Sequence, residues 1–477
     1  MTPQEALAEL AALAPDAWLV GGALRDELLG RPTIDFDVAV EGRAEDLARA
    51  LARRTRGHAF ALSDGFGAWR VLDRRRQWRI DLSPLVGGTL AEDLARRDLA
   101  INAIARPLRG GELIDPFGGR DDLEAKRLRM VSPGAFPADP VRVIRLARLA
   151  ATLGFSLDAD TARAAGASAG GLARVASERV FSELCQIVAG PRPGVGLAAM
   201  LALGATAVVL PELDALRGLE QSAFHHLDVY DHTIATLERT VELGADPGRW
   251  FGAEVAEPLD DVLSEPLAND LTRGQALRFG ALLHDIANAQ TRAVTDEGRV
   301  TFMEHDRLGA ELARAILERL RASERLATHV AALARHHLRL GFLVHEAPLD
   351  RRTLYRYLVT CTPVEVDVTV LSVADRLATL GRNSERAVEL HLALARDVLP
   401  AALEYRAGPP HPPIKGDQLA AALGIPTGPA IGQLLAALTE ATFAGEVTTF
   451  GQAVAVAREL LESSEVGGGG LRSAADR

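Results

Sequence analysis

Cysteine is nearly missing from this chain of 477 residues: only Cys185 and Cys361 occur, far apart and outside any CxxC pair. That excludes a disulfide framework and a thiolate zinc site, and it fits a reducing, cytoplasmic setting. Lysine is as scarce, with Lys126 and Lys415 alone among many arginines; beside abundant Ala, Leu and Gly this reads as codon bias. An excess of positive charge is also lacking. The formal net charge of −11 argues against a uniformly basic nucleic-acid binder while leaving room for a local basic groove. No long apolar run is found either. The longest uncharged stretch, "VGLAAMLALGATAVVL", ends before Pro211 and falls short of the roughly 18 to 20 residues of a membrane span, so it predicts a buried helix or two. The opening "MTPQEALAEL" has no basic segment ahead of an apolar one, so neither a secretory nor a transit peptide is expected. A multidomain chain with ample apolar content and no membrane partner is the expectation.

What is present divides the chain. Up to about residue 115, short β-type runs ("AWLVGG", "FDVAV", "WRVLD", "QWRIDLS", "ELIDPF") alternate with helical patterns such as "AEDLARALARR" and "LAEDLARRDLAINAIA". From about residue 139 the pattern is helical throughout, punctuated near "GPRPG" and "PLANDLTRG". The Pro-rich "EYRAGPPHPPIKG" reads as a linker before a last helical module at 414–462. The final "SSEVGGGGLRSAADR" reads as disordered.

The densest chemistry lies in "WLVGGALRDELLGRPTIDFDVAV", residues 18–40. Strand, glycine turn and helix N-terminus make an anion site, with Gly21 and Gly22 exposing amides and Arg25 one turn into the helix. Alone, such a turn more often only lets strand and helix pack closely. Asp35 and Asp37 shift the balance. Residues i and i+2 of a strand share a face, and two converging carboxylates repel unless a cation relieves them. Oxygen ligands on a strand suit Mg²⁺, and a two-metal clamp is the usual logic of nucleotidyl transfer.

These residues resemble the N-terminal motif of the class II tRNA nucleotidyltransferase and bacterial poly(A) polymerase family, LVGG-x-VRD-x-LLGR…D-x-D. The resemblance implies an α+β fold: a small polymerase β-like nucleotidyltransferase α/β head followed by an all-α body with an HD-type helical domain. In it Gly21, Gly22 and Arg25 hold the triphosphate and Asp35 and Asp37 bind Mg²⁺. Asp81, in "WRIDLS", is expected to add a third carboxylate from a neighbouring strand. "EDLARRDLAINAIA" resembles the second family motif, RRDFTINA, with Leu99 and Ala100 in place of Phe and Thr. Arg97 would then contact the nucleotide while Asp98 and Asn102 order the site. "LIDPFGGRDDLEAKRLRMV" resembles the third motif, a hinge between head and body.

In "ADPVRVIRLARLAATLGF", Arg142, Arg145 and Arg148 form one helical stripe. Three guanidiniums in a row need an anion or carboxylates between them, or else a solvated face. The family resemblance implies that Asp139 and Arg142 read the Watson–Crick edge of the incoming base, with Arg145 and Arg148 near the phosphates. Such a pair suits C and A better than G or U. Ala138 stands where the family usually has Glu. "SERVFSELCQIVAG", residues 177–190, resembles a following motif expected to buttress this helix. Between Asp81 and "TLAEDLARRD" lies only "LSPLVGG", shorter than the mobile segment of enzymes that add C, C and A. That shortness resembles CC-adding enzymes.

A second constellation comprises "HHLDVYDHT", "ALLHDIANA", "FMEHDRLGAELA", "ARHHLRL" and "SVADRLA". Histidines and aspartates on separate helices make an imidazole–carboxylate metal site. The set resembles the HD phosphohydrolase superfamily, whose ligand order implies His232, His284, Asp285, His305, His336 and Asp375 around a divalent transition metal. Ala287 and Asn288 replace the common Gly-Lys after the HD pair. The last module resembles the tRNA-gripping tail of bacterial members.

The expected domains are a head at 1–138, a base-reading and RNA-binding neck at 139–220, an HD-type domain at 221–405, a tRNA-binding tail at 406–465 and a disordered end at 466–477. The expected function is addition of cytidines from CTP to the tRNA 3' end, alongside a separate A-adding enzyme. Full CCA addition, A addition from ATP and poly(A) synthesis are alternatives. From another class, the HD domain is the working part, a metal phosphohydrolase whose head only binds RNA.

Overall fold

The computed structural model describes residues 1–63, 67–221, 226–379 and 384–466. Apart from residue 466, the expected disordered tail lies outside them. The chain forms two compact units, Met1–Val209 and Leu210–Arg477.

The first unit is organised by a mixed sheet in the order β3-β4-β5-β2-β1-β6. Its strands are β1 (Ala17–Val20), β2 (Asp35–Val40), β3 (His58–Ser63), β4 (Ala68–Leu72), β5 (Arg79–Pro84) and β6 (Ala105–Pro107). Helix α1 (Pro3–Leu13) starts at a Thr2–Glu5 capping box. Helix α2 (Gly21–Leu28) follows β1 directly, and α3 (Ala44–Thr55) buries Ala44, Ala48, Leu51, Ala52 and Thr55 along one stripe. Acidic Glu45 and Asp46 open α3 and basic Arg53 and Arg54 close it, each favourable to the helix dipole.

The register decides what the sheet can do. Strands β2 and β5 run parallel with Asp37 opposite Asp81 and Asp35 opposite Arg79. Antiparallel pairing places Arg70 of β4 opposite Asp81, and Phe60 of β3 opposite Arg70. Directly opposed residues share a face. One row therefore runs Phe60, Arg70, Asp81, Asp37 across four strands.

Three expectations are corrected. "LAEDLARRDLAINAIA" is not one helix: α4 (Leu90–Ala95) stops, a single 3-10 turn covers Ala100–Asn102, and β6 follows. Ala100, Ile101, Asn102 and Ala103 are buried in succession, a run that no single helical stripe allows. "ELIDPF" contributes only one isolated bridge, Ile114 to Ala105. The body is not helical throughout, since Pro266–Ala268 pairs with Leu271–Thr272, Arg292–Val294 with Val300–Phe302, and Arg127–Leu128 with Ser156–Leu157. The uncharged run forms two helices, Pro193–Ala202 and Ala205–Val209. Among the described residues no single helix is long and apolar enough to cross a membrane.

In the second unit, helix Arg273–Leu283 packs against Val229–Ala245, Glu324–His336 and Glu365–Ala378. Helices Gly416–Leu423, Pro429–Phe443 and Phe450–Val466 enclose a core of their own around Leu419, Leu434, Leu438, Val447 and Ala453.

Candidate active site and metal cluster

Gly21 opens α2 at φ +73°, and a Cβ there would lie 2.9 Å from Asp37 Oδ2 and 3.1 Å from an Arg97 nitrogen. Only glycine fits both demands. Arg25 Nη1 donates to Asn102 Oδ1 at 2.8 Å, and its other nitrogens pair with Asp26. Arg97 pairs with Asp93 at 2.9 Å. Asp98 accepts from the Leu99 amide and from Asn102. Glycine turn, Arg25, Arg97, Asp98 and Asn102 are thus one hydrogen-bonded patch beside Asp37.

Asp35, Asp37 and Asp81 come together across β2 and β5. Protein surrounds Asp37 on most sides, yet its carboxylate still opens to solvent. That desolvation raises its carboxyl above the ordinary range, opposed by Arg97, with Asp81 and Asp35 adding repulsion. Arg70 grips Asp81 with two bonds of 2.7 Å, and Arg79 pairs with Asp35. These two arginines carried no signal in sequence, because only strand register brings them to the carboxylates. An all-oxygen donor set of clustered, mutually repelling carboxylates fits Mg²⁺.

Helix Arg142–Leu153 buries Val143, Ile144, Leu146, Ala147 and Leu149 and turns its arginine stripe outward from that core. The stripe's anion is a carboxylate, Glu183, which accepts from Arg145 Nε at 2.8 Å and Arg148 Nε at 2.6 Å. Burial opposes the charge on Arg145, yet Glu183 and Asp98 hold its pKa above the ordinary value. Asp139 Oδ2 accepts from Arg179 at 2.8 Å and lies 3.9 Å from Arg142 Nε, a buried donor without a hydrogen-bond partner. Asp139 and Arg142 are therefore side by side. Glu183 and Arg179 both come from the 177–190 motif. Glu183 was findable: it lies among buried Val180, Phe181, Leu184 and Cys185, where an isolated acid needs a cation.

The second cluster forms two triads, His232–His284–Asp375 and Asp285–His305–His337. Asp285 faces both, with Oδ2 3.5 Å from His284 Nε2 and Oδ1 3.4 Å from His305 Nε2. His337 takes the place expected of His336, a correction with a helical cause. Neighbouring residues on a helix differ by about 100°. His337 continues the buried phase of Leu333, Ala334 and Leu340, whereas His336 points elsewhere and accepts from Arg339.

The imidazoles are prepared for a metal. His284, His305 and His337 each place Nδ1 at 2.7 to 2.8 Å from a carbonyl three residues earlier, Ala281, Phe302 and Ala334. Those acceptors assign the proton to Nδ1 and leave the Nε2 lone pairs facing inward. His305 and His337 Nε2 then stand 3.3 Å apart, two acceptors with no proton between them. Burial and neighbouring His284 lower the His337 pKa to about 4, so it is neutral at pH 7. Mixed nitrogen and oxygen donors fit divalent transition metals.

Comparison with known proteins finds matches to both the head and the helical body. Family models match for the "Poly A polymerase head domain" over residues 17–85 and 66–129, the "Probable RNA and SrmB- binding site of polymerase A" over 154–217, and the "HD domain" over 229–380. An A-adding tRNA nucleotidyltransferase of Deinococcus radiodurans is 37% identical, covering 94% of this chain and 96% of that protein. A CC-adding tRNA nucleotidyltransferase of Thermus thermophilus is 35% identical, covering 91% of each. Among solved structures, a CCA-adding enzyme with CTP shares the fold at a TM-score of 0.62 and 21% identity, covering 98% of this chain and 96% of that one. A Thermotoga maritima CCA-adding enzyme complexed with tRNA gives 0.60 and 19%, covering 97% and 96%.

Proposed function

Because this chain belongs to the class II tRNA nucleotidyltransferase and bacterial poly(A) polymerase family, and is thus an enzyme that adds nucleotides to tRNA, we propose that it transfers cytidines from CTP to the tRNA 3' end. The observation that carries this reading is the apposition of Asp35, Asp37 and Asp81 beside the Gly21–Gly22 turn. Gly22 donates a backbone N–H to Asp37, while Arg25 and Arg97 line the turn for the β- and γ-phosphates. Asp35 and Asp37 would hold Mg²⁺, which neutralises charge developing at the α-phosphate. Asp139 would accept from the exocyclic amine of cytosine and Arg142 Nε donate to a ring acceptor, with Arg179 holding Asp139 in place. A cytoplasmic location fits this role.

The connection after β5 supports addition of one kind of nucleotide over full CCA addition. Residues 85–89 alone connect β5 to α4, and they are pinned: Leu85 N–H donates to Val40 O and Val86 N–H to Asp93. A tethered connection favours one setting of the base-reading pair. The Deinococcus relative favours the second reading, addition of A, in which a CC-ended tRNA is the substrate. Purified protein given tRNA ending at the discriminator base or at C-C, with labelled CTP or ATP, separates them. Incorporation of C at the first end and none of A at the second is expected; efficient A addition to the C-C end sinks the CC-adding reading.

Asp37→Ala should lower incorporation by about a thousandfold with folding intact. Survival of incorporation would favour the other-class reading, in which the HD cluster works and the head only binds RNA. For that cluster we propose that His232, His284, Asp285, His305, His337 and Asp375 would hold divalent transition metal, whose chemistry when bound would be activation of water against a phosphate ester. A separate A-adding partner is part of the cytidine reading.

A further inference from the structure

In-line transfer restricts where the RNA must lie. The attacking and leaving oxygens stand on opposite sides of the transferred phosphorus. Here the triphosphate cradle of Gly21, Gly22 and Arg25 belongs to β1 and α2, on one flank of β2. Pyrophosphate leaves toward that flank. The attacking 3'-hydroxyl must then arrive from the other flank, across β5, β4 and β3.

That flank carries the means to receive it. The row from Asp37 passes to Asp81, then Arg70, then Phe60, all on one face of the sheet. Arg70 uses Nε and Nη2 on Asp81, which turns Nη1 to the far side of its fork, away from the carboxylate. Phe60 is 41% exposed on edge strand β3, and His58, two residues earlier on the same face, is exposed as well. The opposite face of these strands is covered by α3, where Arg49 stacks on Trp69 at 5.1 Å. By strand alternation Phe60 shares the face of Arg70 and Asp81, opposite that of Trp69.

Resting on the transferase reading, we infer that β3 and β4 form the seat of the tRNA 3' end: Phe60 stacks on an unpaired base and Arg70 Nη1 meets the adjoining phosphate. At about 4.8 Å per strand, Phe60 lies roughly 14 Å from Asp37. A few stacked nucleotides of about 3.4 Å each cover that span, which places the stacked base just upstream of the growing end. A π-face accepts any base, so this seat grips acceptor ends of different sequence. Asp139 and Arg142 choose the nucleotide, while Phe60 holds the strand that receives it.

The test separates RNA from nucleotide. Binding of a fluorescent acceptor-stem minihelix ending at the discriminator base is measured without nucleotide, and KM is measured for that minihelix and for CTP. Phe60→Ala should weaken minihelix binding about tenfold and raise its KM similarly, leaving the KM for CTP unchanged. Phe60→Trp should restore binding and show fluorescence quenching when the RNA binds. Unchanged minihelix affinity in Phe60→Ala overturns the inference, and so does an equal loss of CTP affinity, which would mean general damage to the sheet. If wild-type protein incorporates no nucleotide but Phe60→Ala still loses RNA binding, the transferase reading falls and the seat stands.

Discussion

Two adjacent histidines at the end of one helix divide into a cluster-facing and an outward residue, and the difference is measurable. His337→Ala should remove about one metal equivalent per chain from the HD cluster, whereas His336→Ala should keep the full complement, as read by elemental analysis after gel filtration. Equal loss in both variants would contradict the two-triad geometry. The sequence already held the means to choose between them. Leu333, Ala334 and Leu340 mark the buried phase, and His337, not His336, falls on it. A ligand order carried over from a family fixes which segments supply ligands, but helical phase decides which residue of a pair points inward. Arg70 and Arg79 illustrate the opposite case: no local pattern reveals that they meet Asp81 and Asp35, because the encounter depends on how separate strands align.

Among elements, helix Ser177–Val188 is coupled to helix Arg142–Leu153 through Glu183, which is nearly buried while its two arginine partners are partly exposed. Removing one partner of a buried charged group leaves the others unmatched. Glu183→Ala should destabilise the first unit by about 2 kcal/mol in urea unfolding and also raise the KM for CTP, since Arg145 stands 3.6 Å from Asp98. A stability change without any change in KM would make Glu183 purely structural. Strands β1, β2, β4 and β5 were legible because their apolar runs are short and bounded by Gly, Pro or charge. Strand β3, "HAFALS", and β6, inside "INAIARPL", were not. Each gains its strand character from a neighbour rather than from its own pattern, β3 by pairing with β4 and β6 by pairing with β1.

Across the whole molecule, the carboxylate row lies in Met1–Val209 and the histidine cluster in Leu210–Arg477. Chemistry at one does not require ligands from the other. The double variant His284→Ala, Asp285→Ala should therefore incorporate nucleotide within about twofold of wild type, while losing the stabilisation that a bound metal gives its unit. Chelation should likewise lower the melting transition of the second unit and leave that of the first in place. A collapse of incorporation in the double variant would mean that the units act together. The broad division into an α/β head and a helical body was readable from periodicity alone. The two-stranded hairpins within the body were not, since strands of two or three residues are shorter than any period can show.

Gly21 has a consequence for how this chain can change over generations. Its missing side chain leaves room for Asp37 and Arg97 at the same point, and its backbone occupies a conformation that other residues resist. Any replacement would disturb Asp37 and Arg97 in one step, so no second mutation at either neighbour could repair both. Position 21 is a dead end in sequence space. The rest of the active site can drift around it, and it cannot drift with them.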